Sequence, residues 1–252
     1  KALDEGWTGP RPESIPLVPE VLNLDDYRSR QDVVFASETG QLPVGLSTDK
    51  VDNVALPLSQ LKHIAYVSDD DNHMQTITQH LVAVTTMVSE SSVMLYDSNG
   101  RYEYLSDKVK TYVSDESDMI TRLAQLIMEI ERRETPGETY KNWFGIIPDF
   151  ESFVAQSQMS LEQLQTIFDR GTKVHMYLLA GGTPNYMLYN VNTLPKYYRQ
   201  NVSHFLVGMR MSDQTFLPKT YNSKEPYLPL DMVYLHNRRK ERLLKITQTT
   251  QL

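Results

Sequence analysis

Residues 61–88 combine an apolar run, a short polar loop and a helical repeat, the frame on which a phosphate-binding loop is built. His63-Ile64-Ala65-Tyr66-Val67 supplies a strand and Ser68-Asp69-Asp70-Asp71-Asn72 a loop, and Ile77, Leu81, Val84 and Val88 recur on one helical face. A working loop of the G-x-x-x-x-G-K-[ST] kind closes backbone N–H groups of glycines around phosphate oxygens, and adds a lysine and a hydroxyl for magnesium. On that spacing this chain places Ser68, His73, Met74 and Gln75. No glycine lies between Gly45 and Gly100 and no lysine or arginine between Lys62 and Arg101, so no shift of register restores the pattern. The aspartates add repulsion: one like-charge pair about 7 Å apart, at an effective dielectric of about 20, costs about 2 kcal/mol. The other reading of the same residues is an acidic surface loop in which Asp70, Asp71 or Asn72 caps a helix N-terminus.

Other chemistry has less to stand on. His63 and His80 share the region with the aspartates, but their spacing matches no H-E-x-x-H or comparable metal pattern, and no serine sits in a G-x-S-x-G elbow. Asp149 follows the apolar run 143–147 and reads either as an acid at a strand end or as a turn or helix cap. Tyr186, Met187, Tyr189, Tyr197 and Tyr198 fall in an irregular stretch after Pro184, where they could anchor a partner or cover the sheet edge. Arg238, Arg239, Lys240 and Arg242 mark a basic turn, open to solvent or to an acidic partner or neighbouring subunit.

Strands alternate with helices to position these residues. Hydrophobic runs at 63–67, 93–96, 143–147, 174–180 and 204–209 are separated by helical repeats after residues 72, 117 and 160, the last opened by the capping box Ser160-Leu161-Glu162-Gln163. Ile120, Leu123, Ile127 and Ile130 mark the expected inner face of the middle helix, and Pro136-Gly137 its stop. This order predicts an α/β fold with a mostly parallel sheet covered by helices on both faces. Residues 44–56 read as a hairpin, and 232–236 with 243–247 as an antiparallel edge hairpin. Pro10, Pro12, Pro16 and Pro19 make residues 1–24 an extended tether. At 252 residues and 40% hydrophobic content, one domain is expected, and the start at Lys1 suggests a piece of a longer chain. A net charge of −7 argues against nucleic acid as partner, and the absence of cysteine excludes disulfides and thiol catalysis.

Taken in order, Trp7-Thr8-Gly9-Pro10-Arg11-Pro12, Leu42-Pro43-Val44-Gly45-Leu46, His63 heading the loop strand, Leu95-Tyr96-Asp97 and the strand ending at Asp149 resemble an FtsK/SpoIIIE-type ATPase domain. More narrowly the chain is similar to the C-terminal, third ATPase-like domain of the type VII secretion motor, over nearly its whole length. The resemblance implies a RecA-like P-loop NTPase fold over residues 1–252, on the cytoplasmic side of a bacterial membrane protein. It places the family's phosphate loop on residues 68–75 and its second acidic motif on Ile146-Ile147-Pro148-Asp149, with Pro148 in place of the first acid. It therefore implies ATP and magnesium for the parent motor and none for this domain. The implied partners are secreted WXG100-type proteins and other exported substrates, neighbouring ATPase domains and a hexameric assembly. Tyr186, Met187, Tyr189 and Tyr198 are the expected substrate anchors. The alternatives are a weak ATPase completed by a neighbouring subunit and a DNA translocase.

Overall fold

A computed structural model describes residues 17–135, 137, 139–219 and 224–248 of the chain. Most of the expected tether, including residues 7–12, lies outside the described residues, as does Pro136. Helices α1 (Leu24–Arg28) and α2 (Gln31–Glu38) precede the hairpin β1 (Gln41–Ser47) and β2 (Asn53–Pro57). The loop frame follows as β3 (Ile64–Val67) and α3 (Asp71–Met87), then β4 (Ser91–Tyr96), β5 (Thr111–Val113), α4 (Glu116–Arg133) and β6 (Asn142–Ile147). The rest is α5 (Phe150–Ser157), α6 (Leu161–Arg170), β7 (Met176–Gly182), a π-helical turn at Asn185–Tyr189, α7 (Thr193–Asn201), β8 (His204–Val207), β9 (Met232–His236) and β10 (Glu241–Lys245).

These strands form one ten-stranded sheet in the order β2-β1-β10-β9-β8-β3-β7-β6-β4-β5. The stretch from β8 to β5 is parallel, and β9, β10, β1 and β2 add an antiparallel block. The C-terminal hairpin is antiparallel as expected, but it is not an edge: β10 pairs with β1, and β2 is the outer strand. Gly45 explains the closure. Its φ of +141° favours glycine, and a Cβ there would lie 2.8 Å from the Lys245 carbonyl oxygen, so a side chain would hold the two strands apart. Lys245 also forms a buried ion pair with Asp231 and donates to the Glu20 carbonyl at 2.6 Å, which ties the stretch before α1 to β10.

Alternation along β3 sends Ile64 and Tyr66 to one face and Ala65 and Val67 to the other, so the strand feeds two separate cores. Helix α3 covers the first face with Ile77, Leu81, Val84 and, just past its end, Val88, the stripe its periodicity predicts. Helices α4 to α7 cover the second. In α4 the inner face is Met119, Leu123, Leu126 and Ile130, while Ile120 is 40% exposed and Ile127 only partly buried. The helix starts one residue ahead of Ser117 because Asp115 takes the cap, accepting from the Ser117 and Asp118 N–H groups. The capping box of α6 forms as its spacing predicts, Ser160 and Gln163 each accepting from the other's backbone N–H.

Candidate functional site

Parallel strands direct the loops that follow them to one edge of the sheet, and a crevice there is where such sheets bind ligands. The loops after β3, β4, β6 and β7 converge on a cleft of about 170 Å³, lined among others by Ser68, Met74, Arg101, Asp149 and Thr183.

The loop after β3 is closed on itself. Ser68 Oγ donates to the Gly208 carbonyl at 2.9 Å and accepts from the Asp70 N–H at 3.1 Å, binding the loop to the end of β8. Asp70 is the N-cap of α3, and its Oδ1 accepts from the His73 N–H at 2.9 Å. The His73 ring donates from Nε2 to the Met232 carbonyl at 2.8 Å and lies where a Cβ on Gly208 would touch it, at 3.1 Å. Burial pushes the His73 pKa down, against the pull of the Met232 carbonyl and of Asp70, Asp69 and Asp231. Met74 faces the cleft, and Gln75 donates to the Tyr104 hydroxyl at 3.0 Å. The capping alternative thus describes the loop, with Asp70 as the capping residue.

Across the cleft, Asp149 is the N-cap of α5 and accepts from the Ser152 N–H at 3.0 Å, the Ser152 hydroxyl at 2.7 Å and the Asn99 amide at 2.8 Å. Pro148 lies beside it. Asp97, buried after β4, accepts from the backbone N–H groups of Arg101 and Tyr102 at 3.1 and 2.6 Å and from the Tyr112 hydroxyl at 2.7 Å. Burial, and then the hydrogen bond to Asp97 and its charge, push the Tyr112 pKa up. Arg101 reaches into the cleft and lies 3.4 Å from Asp71. The convergence of Asp97, Arg101 and Glu151 on this cleft is not evident in the sequence. The turn Ser98-Asn99-Gly100 after a parallel strand was the available signal, because such turns end at the crevice. Among the described residues the lining carries four carboxylates, Asp71, Asp97, Asp149 and Glu151, against the single guanidinium of Arg101. Among the described residues no group of acids, histidines or cysteines is placed to hold a metal ion.

The expected aromatic anchors are not a surface cluster. Tyr198 is fully buried: its hydroxyl donates to the Ile64 carbonyl at 2.8 Å and accepts from the Ala180 N–H at 3.1 Å, bolting α7 across β3 and β7. Its ring packs on Phe150 and Phe168, with centroids 4.8 and 5.1 Å away. Met187 is buried against Gly182, where a Cβ would meet its side chain at 3.0 Å. Tyr186 is buried beside Phe150, and burial, then Glu151 and Asp149, push its pKa up to about 12. Asn185–Tyr189 winds into a π turn that directs Tyr186, Met187 and Leu188 inward, and Tyr198 faces the core from α7. Tyr189 alone of the four is 39% exposed, with its hydroxyl accepting from the Thr215 N–H at 3.0 Å, next in the chain to Phe216.

No family model matches the chain. The type VII secretion system protein EssC of Staphylococcus aureus (strain NCTC 8325 / PS 47) is 21% identical over 235 residues, which cover 93% of this chain and 16% of that protein. The chain thus spans about a sixth of the curated relatives it matches. Among solved structures, the cytoplasmic domain of EssC superposes with a TM-score of 0.76 at 16% identity, over 95% of this chain and 49% of that one. EccC of Thermomonospora curvata (ATPases 2 and 3), in complex with a signal sequence peptide, gives 0.72 at 17% identity, over 98% and 46%. Among the described residues no helix is long and apolar enough to cross a membrane. The chain is therefore similar over nearly its whole length to a C-terminal ATPase domain of the type VII secretion protein EssC, and it has the P-loop NTPase-like α/β fold of the EssC and EccC ATPase domains.

Proposed function

We propose that this chain is a RecA-like domain without nucleotide chemistry, working in a type VII secretion motor as a docking and coupling module for exported substrates and neighbouring ATPase domains. The observation that carries the reading is the junction of β3 and α3, where the His73 N–H is already taken by the Asp70 carboxylate of the same chain. Met74 offers a thioether where a cation is needed, and Pro148 no ligand where magnesium needs an acid. A triphosphate entering the cleft would meet four carboxylates and one guanidinium. These residues do not fit magnesium ATP, and ATP and magnesium belong to the parent motor's other ATPase domains. Residues 1–252 form one domain with residues 1–24 as its tether, on the cytoplasmic side of a membrane-anchored protein that assembles as a hexamer. The net charge of −7 disfavours a DNA translocase.

The signal sequence peptide bound to EccC supports substrate recognition as the retained role. On this chain the exposed aromatics Tyr189 and Phe216 offer apolar contact to a short helix or tail of a WXG100-type protein, the Phe216 ring backed by the buried Arg199 guanidinium 5.7 Å away. The test is an NMR titration of this chain with a cognate exported protein. Shifts centred on Tyr189 and Phe216 are expected; shifts confined to residues 69–71, or none at high concentration, would overturn the docking role.

A second reading is a weak ATPase whose missing lysine or arginine comes from a neighbouring subunit; Arg101, which places one cation of this chain in the cleft, favours residual nucleotide binding there. That reading requires saturable ATP binding that Arg101→Ala removes.

A further inference from the structure

Sheet order puts β1, β10 and β9 between β2 and β8, yet Val54 and Leu56 of β2 line the same pocket as His204, the first residue of β8. The antiparallel block therefore curls on itself. Two features of β1 explain the bend: its register against β2 shifts between Pro43 and Gly45, as at a bulge, and its ladder with β10 is short, Leu46 with Lys245 and Ser47 with Leu244. The enclosed pocket measures about 170 Å³ and lies at the amino end of β8, at the opposite end of the parallel strands from the cleft. His204, whose Nδ1 bonds the Ser203 hydroxyl at 2.9 Å, closes one side of it.

One wall of the pocket is apolar, made by the buried side chains of Val54, Leu56 and Leu235. The other wall, Asn237, Lys240 and Arg242 at the β9–β10 turn, can only donate. Asn237 Oδ1 is taken by the Arg239 and Lys240 N–H groups at 3.2 and 2.9 Å, so the amide has its NH2 group left for a ligand. Lys240 and Arg242 lie two residues apart, on one face of the chain, and both are exposed. Among the described residues neither has an ion-pair partner. Nor does any carboxylate of the described residues line the pocket: Glu241, between the two cations, lines the groove on the other side of the hairpin, which they also border. The turn is preorganised, since the Asn237 N–H donates to the Lys240 carbonyl at 3.2 Å and the Arg238 guanidinium to the Arg199 carbonyl at 2.6 Å, so it loses little freedom when a ligand binds.

We infer that this pocket binds a phosphate monoester through Lys240, Arg242 and the Asn237 amide, with the carbon stem of the ester against Val54 and Leu56. Charge selects the anion: a phosphate monoester carries about −2 near neutral pH and answers two cations, where a carboxylate answers one. The guanidinium fork takes two phosphate oxygens together and leaves a third to the lysine and the amide. The apolar wall selects an ester over inorganic phosphate, because only buried carbon gains from it. The same group occurs on soluble metabolites and on the headgroup of phosphatidic acid. The site is independent of the nucleotide cleft and of the docking role, sharing no lining residue with either.

The test is an amide NMR titration of this chain with propyl phosphate, inorganic phosphate and butyrate at one pH and ionic strength, with flotation on phosphatidic acid vesicles beside it. Propyl phosphate should shift the amides of residues 54–56, 204 and 237–242 saturably and bind about tenfold tighter than either other anion. Arg242→Ala and Lys240→Ala each change an exposed side chain and should each weaken it about tenfold, while Arg239→Ala, in the neighbouring groove, should leave it unchanged. Flotation that propyl phosphate displaces would put the ester on a lipid; propyl phosphate binding with no flotation, or with flotation it does not displace, would put it on a soluble molecule. The inference is overturned by the absence of saturable shifts, by shifts confined to residues 68–75, or by butyrate or inorganic phosphate binding as tightly as the ester. An affinity that neither Arg242→Ala nor Lys240→Ala lowers, or that Arg239→Ala lowers as much, would overturn it equally.

Discussion

The junction of β3 with α3 and the segment from Asn185 to Tyr198 both leave the carboxyl end of a parallel strand, and both turn inward, with opposite consequences. At the junction a polar loop consumes its own groups: Ser68 holds the end of β8, Asp70 caps the helix and His73 bonds the Met232 carbonyl. In the later segment the aromatic groups are the ones consumed, with Tyr198 bonded to β3 and β7 and Met187 packed under Gly182. A polar side chain at a strand end is available for a ligand only if its neighbours leave it so, and a tyrosine there is available only if its hydroxyl lacks a partner inside.

Tyr198 breaks the comparison most severely if it is wrong. Tyr198→Ala opens a cavity and strands the Ala180 N–H, and should cost about 3–5 kcal/mol in urea unfolding or prevent folding. Were Tyr198 a surface anchor, the change would stay within about 0.5 kcal/mol. The next effect belongs to α3. His80 is buried, with Nδ1 accepting from the Thr247 N–H and Nε2 donating to the Val44 carbonyl, so it is neutral, and burial pulls its pKa down to about 4. The unfolded chain therefore binds a proton that the folded one refuses. Stability is intact above about pH 6.5, falls as pH drops toward the folded value of about 4, and the loss attributable to this group reaches about 3 kcal/mol there. In unfolding measured against pH, His80→Gln should flatten that slope by up to one proton; an unchanged slope would mean that His80 is charged in the fold.

The cap tests the junction at smaller scale. Asp70→Ala should cost about 1 kcal/mol, whereas Asp149→Asn, which keeps a capping oxygen, should change stability by only a few tenths of a kcal/mol. Equal losses would show that the contact of Asp149 with the Asn99 amide needs the charged carboxylate. Tyr189→Ala should have the smallest effect, within about 0.5 kcal/mol on stability, while weakening substrate binding severalfold. A large loss of stability would place Tyr189 in the core with its neighbours.

What could be read from the sequence was local. The stripe of α3, the capping box of α6 and the alternation of strand and helix depend on residues a few positions apart, and each forms. Other features depend on distant partners. β10 joins β1 rather than forming an edge because Gly45 admits Lys245 across about two hundred residues of chain, and nothing near either strand announces it. The inner face of α4 is rotated from Ile120 and Ile127 toward Met119 and Leu126 because several apolar residues competed for one stripe. In the cleft, the four altered phosphate-loop positions could be read from spacing, whereas Arg101 could not, because it enters from the turn after a different strand.

The central claim is that the frame of a phosphate loop persists here without its chemistry. Isothermal titration of this chain with magnesium ATP to millimolar concentration tests it most directly, with hydrolysis followed in parallel. The account predicts heats indistinguishable from dilution and no phosphate release above a blank; saturable heat that Arg101→Ala abolishes would contradict it.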